Sequence, residues 1–184
     1  MKILLTFDYE LFFGAHSGTV EKCMLEPTND LLKISEGKNV KYTFFVDVGY
    51  LIASENITEL KEERLSVLKQ LQDILAHGHD IQLHIHPHWE VATFENGHWN
   101  MHSKSHYRLN NFELDTAREI VRKYKAKLEL YIGRNVNVFR AGGWCIQPFE
   151  PLCDMFQEIG LVYDSSVIAG FRIVTNQYAV DFSS

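Results

Sequence analysis

Basic charge is in short supply in this chain. Its 18 lysines and arginines stand against 24 aspartates and glutamates, a formal net charge of −6. Without a cationic excess there is little to displace the counterions of a phosphate backbone, so nucleic-acid binding is set aside. The one basic cluster, Arg118, Arg122, Lys123, Lys125 and Lys127, is expected on the solvated face of a helix. Cysteine is equally sparse. Cys23, Cys145 and Cys153 are odd in number and too dispersed for a zinc knuckle, which leaves buried free thiols in a reducing compartment. Only four prolines occur, no segment is of low complexity, and 46% of residues are hydrophobic, so disorder is excluded. No apolar run approaches the roughly 20 residues of a membrane span. Residues 3–5 are too few for a signal sequence and run straight into Asp8 and Glu10. The expectation is one soluble, cytoplasmic domain over residues 1–184, with oligomerisation left open.

What is present alternates. Residues 2–7 form an apolar run of the kind found in strands buried on both faces of a parallel sheet. Further strands are predicted at 42–46, 81–84, 137–140 and 161–164, and helices at 28–37, 56–76, 115–130 and 148–160. Asn96-Gly97 marks a hairpin or loop. Residues 171–174 and 178–182 read as two last strands with no helix after them. This pattern predicts an α/β fold, a parallel sheet or a distorted (β/α) barrel that is incomplete. Either the sheet stays open or the sequence is a piece of something longer.

The polar residues fall at strand ends, where such folds place their chemistry. Asp8 and Glu10 follow the first strand, Asp47 the second, and His84 and His88 the third; Arg140 closes the fourth and Asp164 the fifth. Side chains alternate along a strand, so Asp8 and Glu10 share a side. Two carboxylates there repel unless a cation holds one of them. Pro87 bends the chain between His84 and His88, and a turn of that kind folds both imidazoles towards one point. One carboxylate and two histidines make three ligands with a fourth position open, the arrangement of a catalytic zinc, and the other carboxylate is left to take a proton. His86 is read as projecting opposite His84, towards substrate or as a support. His79 is read as a structural hydrogen-bonder, and Asp47 either as starting a helix or as touching substrate. His16, His98, His102 and His106 are read as solvent-exposed loop residues.

Four blocks in this order resemble the polysaccharide deacetylases of the NodB-homology group, carbohydrate esterase family four. They are Thr6-Phe7-Asp8-Tyr9-Glu10, the stretch Gly78-His79-Asp80-Ile81 leading to His84 and His88, Phe139-Arg140-Ala141-Gly142-Gly143-Trp144, and Tyr163-Asp164-Ser165-Ser166. The resemblance implies a barrel of the deacetylase type. It implies Asp8 as general base, Glu10, His84 and His88 as ligands of a divalent metal, foremost Zn2+, and Arg140 as the partner that fixes Asp8. A backbone N–H near Gly143 and Trp144 would face the oxyanion, Trp144 would contact the sugar, and Asp164 would tune the catalytic acid. Three departures stand out. Tyr9 occupies the family's usual metal-binding aspartate position, no proline follows Arg140, and no histidine follows His106 to supply the acid: either that part lies outside this sequence, or His86, His16 or another histidine substitutes, or catalysis is weak.

The implied function is metal-dependent removal of N-acetyl groups from an amino sugar or polysaccharide precursor, in surface-polysaccharide or O-antigen synthesis. Two other functions stay open. One is a hydrolase of small cyclic amides; the other is a degenerate deacetylase-like domain that binds carbohydrate or a partner without turnover.

Overall fold

The computed structural model describes residues 2–13, 18–101, 105–175 and 179–183. His16, His102 and the first residue of the predicted strand 178–182 lie outside them. In chain order the strands are β1 (Leu5–Tyr9), β2 (Tyr42–Asp47), β3 (Asp80–Ile85), β4 (Thr93–Glu95), β5 (His98–Asn100), β6 (Val138–Ala141), β7 (Tyr163–Asp164), β8 (Arg172–Val174) and β9 (Ala179–Asp181). The helices are α1 (Glu26–Ser35), α2 (Val48–Ser54), α3 (Lys61–Ala76), α4 (Leu114–Ile132) and α5 (Glu150–Ile159).

Five strands form one parallel sheet in the order β1-β2-β3-β6-β7. Among the described residues β1 and β7 are its edges and do not pair with each other, so the sheet is open. The edge position overturns the expectation that the first strand is buried on both faces. Ile3 and Leu4 are 68% and 85% exposed, and the strand begins only at Leu5. β4 and β5 make the hairpin foreseen at Asn96-Gly97, with both turn residues at positive φ. β8 and β9 pair antiparallel, apart from the main sheet.

The register gives the two faces different chemistry. Phe7, Tyr9, Phe44, Val46, Ile81, Leu83 and Phe139 point to one side and join the hydrophobic core. Val67, Leu71 and Ile74 of α3 and Ile120, Val121, Tyr124 and Leu128 of α4 pack there at helical spacing. Each large side chain fully buried in this way is worth about 1.5–3 kcal/mol. Gly133 and Gly160 stop α4 and α5 in the left-handed conformation. The opposite face carries Thr6, Asp8, Phe45, Asp47, Gln82, His84 and Arg140.

The predicted basic helix face is α4, where charges are neutralised locally. Lys123 pairs with Glu90 at 2.6 Å, Lys127 with Glu55 at 2.6 Å and Lys125 with Glu129 at 2.5 Å. No helix among the described residues is long and apolar enough to cross a membrane.

Candidate metal centre

Parallel strands deliver the polar face to the carboxyl end of the sheet, and there Glu10 meets β3. Its Oε2 lies 2.9 Å from His84 Nε2 and 2.6 Å from His86 Nε2, and the two Nε2 atoms are 3.2 Å apart. Among the described residues this trio is the group whose ligand atoms all fall within 4.8 Å of one another. Both imidazoles are buried, while the Glu10 side chain keeps 24% of its surface open. His84 Nδ1 sits 2.9 Å from the carbonyl oxygen of Arg140. A carbonyl only accepts, so Nδ1 carries a proton, and Nε2 is the ring nitrogen that faces Glu10. That is the second contact by which ligating histidines are generally oriented.

Two lone-pair nitrogens and a carboxylate at such distances repel unless a proton or a cation lies between them. Burial opposes charge on both Glu10 and His84. Even so, hydrogen bonds and charge from His84 and His86 hold the Glu10 carboxyl well below the usual range. The Glu10 contact, with Asp8 and Asp47, in turn pulls His84 up. A divalent ion of N/O preference fits this donor set.

The structure sets His86, and not His88, beside Glu10 and His84. Residues two apart on a strand share a face, so His86, extended at φ −107° and ψ 98°, points with His84 rather than opposite it. Pro87 then starts a single tight turn, Pro87–Val91, which carries His88 out of the group. His88 is fully buried, edge-on to Phe13 at 4.6 Å and stacked near Tyr107, and neither ring nitrogen has a hydrogen-bond partner among the described residues. Burial pushes its pKa down to about 3. His86 Nδ1 is likewise unpartnered and lies against Gly142, where a Cβ would overlap the ring.

Asp8 stands on the same face, gripped by Arg140. Nη1 of the guanidinium donates to Asp8 Oδ1 at 2.6 Å. Nη2 donates to Thr6 Oγ1 and Ser165 Oγ at 2.9 Å each, and Nε to the Ser165 carbonyl. The guanidinium carbon lies 3.8 Å from the Phe45 ring centroid, a cation–π contact. Arg140 thus ties β6 to both edges of the sheet. Thr6, Phe45 and Ser165 were not singled out from sequence. Two-residue alternation back from Asp8 reaches Thr6 and back from Asp47 reaches Phe45, whereas Ser165 directly follows Asp164 and no alternation marks it.

Asp164 faces away from this cluster. Ser166 donates to it through both its N–H (3.2 Å) and its hydroxyl (2.6 Å), and the Ser166 oxygen accepts from Ala141 N–H. Burial raises the Asp164 pKa. Gly143 and Trp144 form the turn after β6 with φ +57° each; Gly143 lies under Tyr107, and Trp144 packs edge-on to Phe171 at 5.3 Å. Asp47 Oδ1 accepts from Gly49 N–H at the start of α2, the helix-starting alternative. Its Oδ2 accepts from Trp89 Nε1 at 2.6 Å.

No protein-family model matches the chain, and no curated protein does. Among solved structures the chain is similar to a crystal structure from Mycobacterium smegmatis described as a "putative polysaccharide deacetylase". The identity is 24% and the TM-score 0.50, over 77% of this chain and 38% of that one. The chain therefore spans well under half the length of this neighbour. The likeness shows that the chain shares the fold of that structure over the matched part.

Proposed function

We propose that the chain is a metal-dependent hydrolase that removes N-acetyl groups from an amino sugar or a polysaccharide precursor, of the kind used in surface-polysaccharide or O-antigen synthesis. The observation that carries this reading is the meeting of Glu10, His84 and His86 beside an aspartate pinned by an arginine. Glu10, His84 and His86 would hold the ion. When bound, a divalent metal, zinc foremost, supplies a Lewis acid for the amide carbonyl and lowers the pKa of water to about 7.

The rest falls to the protein. Arg140, itself anchored on Thr6 and Ser165, holds Asp8 on the open polar face, where it takes a proton from the attacking water. The water oxygen bonds to the acetyl carbon, the C–N bond breaks, and acetate and a free sugar amine result. The departing nitrogen needs a proton, and Asp8 then carries one. N–H groups of the turn Gly142–Trp144 would face the developing oxyanion, and the Trp144 ring would contact a sugar face. The neighbour's description and the shared fold support this class of substrate.

Asp8→Asn tests the reading on the zinc-loaded protein, with acetylated chito-oligosaccharides as substrate. Acetate release should fall by roughly 10²–10⁴, the usual worth of a general base, with zinc per chain unchanged. Undiminished release would remove Asp8 from the mechanism. A second reading rests on Asp164, whose hydrogen bonds among the described residues go to Ser166 and not to a histidine that could act as acid. In that case the domain binds carbohydrate without hydrolysing it, and titration would show oligosaccharide binding with no amine formed under saturating zinc.

A further inference from the structure

The buried carboxylate of Asp47 belongs to neither the ligand group nor the Asp8–Arg140 pair. It is 1% exposed, and its register partner on the neighbouring strand is His84, on the same face of the sheet. Both its oxygens are engaged: one caps α2 through Gly49 N–H, the other receives the indole N–H of Trp89. Trp89 follows His86 by three residues, and its own N–H closes the turn onto the His86 carbonyl at 3.2 Å. A Cβ at Gly49 would overlap the Trp89 ring, so the glycine lets the indole lie on the first turn of α2. Trp99 of the β4–β5 hairpin closes over the other side, edge-on at 4.9 Å.

From these contacts we infer that Asp47 is a positioning residue for the metal centre. Through the Trp89 indole it latches the turn that follows His86, and so fixes where the His86 ring stands against Glu10 and His84. This inference rests on the metal-centre reading above. It adds a part that neither touches the ion nor contacts substrate. A carboxylate is required because the Trp89 N–H and the Gly49 N–H both need acceptors on one short side chain. Asparagine offers an acceptor to one and turns a donor towards the other. Loss of a supporting partner behind a ligand typically weakens metal affinity by about 10–100-fold.

The test uses the full chain and zinc alone, with Kd measured by competition against a chromogenic chelator and metal-free melting recorded in parallel. Asp47→Asn and Trp89→Phe should each raise the zinc Kd about tenfold or more in protein that still melts cooperatively. Trp89→Phe decides the matter where Asp47→Asn does not fold, since it keeps the carboxylate and removes only the N–H. Unchanged Kd with a lowered melting temperature would make Asp47 a structural cap and overturn the inference while leaving the metal centre intact. A weakened Kd in Asp47→Asn alone would assign the effect to charge and also overturn the latch. Parent protein that fails to bind zinc would sink both the metal reading and this one.

Discussion

His79 enters β3 at one end and His84 with His86 leave it at the other; all three are buried, yet their surroundings differ in kind. His79 Nδ1 accepts from Tyr42 N–H at 3.1 Å, and its Nε2 meets Ser35 Oγ at 3.1 Å. The Ser35 hydroxyl itself donates to the Leu32 carbonyl, so Nε2 is the donor of that pair. The ring stacks on Tyr42 at 4.9 Å. Every polar atom of His79 is used, and the neutral ring ties α1 to β2. At the far end the two Nε2 atoms face a carboxylate and each other, and His86 Nδ1 has no partner among the described residues. Satisfied groups make a joint; crowded, underused ones make a place for something else. In sheets of this topology the amino end of a strand serves stability and the carboxyl end serves chemistry.

The sharpest way to break this contrast is to remove the rings one at a time. His84→Ala and His86→Ala should lose zinc by more than the roughly 100-fold upper range for a mere supporting group. His88→Ala should lose less than either, because its nitrogens stand outside the ligand group. Chelator competition measures all three. A His88→Ala loss as large as the His84→Ala loss, with His86→Ala mild, would restore His88 as the ligand and place His86 at the substrate.

The second test works from the other end. His79→Ala strands the Tyr42 N–H inside the protein and should cost about 1–3 kcal/mol of stability. Its zinc affinity should equal the parent's. Denaturant unfolding and the same chelator assay read the two quantities separately. A variant that loses zinc in step with stability would mean that the two ends of β3 are not independent.

How much of this was visible beforehand follows from what period-two and period-3.6 patterns can carry. Four of the parallel strands and four of the helices lie in the sequence because each buries apolar residues at regular spacing, while the short β7 follows only from the apolar run before Asp164. α2 was not foreseen as a helix, since its seven residues are nearly all buried and show no alternation of faces. Asp47, which caps it, was the available mark. The site residues were legible as types and strand-end positions. What failed was orientation: His86 is read as opposite His84, whereas residues two apart on a continuing strand share a face. The Arg140 contacts to Thr6, Phe45 and Ser165 depend on strands far apart in sequence facing one another, which no local pattern encodes. Closure into a barrel was likewise a matter of partners between β1 and β7, not of spacing along the chain.

The smallest expected effect is a sign. Burial, then the charges of Lys41 and His77, lower the pKa of His79 in the fold. As pH falls through about 6.5 the unfolded chain therefore takes up this proton before the folded one does. Stability rises with pH wherever the unfolded state binds more protons, so the His79 contribution is whole above about pH 6.5 and drains away below it. His84, raised by its contact with Glu10, acts oppositely in zinc-free protein: its contribution is whole below about pH 6.5 and is lost as pH rises through its folded value. Replacing His79 with glutamine removes one of these opposed slopes and leaves the other. Melting temperatures of zinc-free parent and His79→Gln, taken from about pH 7.5 down to about 5.5, should converge as the pH drops. Strictly parallel curves would show that the ring at the amino end of β3 takes up its proton equally in both states, and the distinction between a closed joint and an open site would lose its electrostatic half.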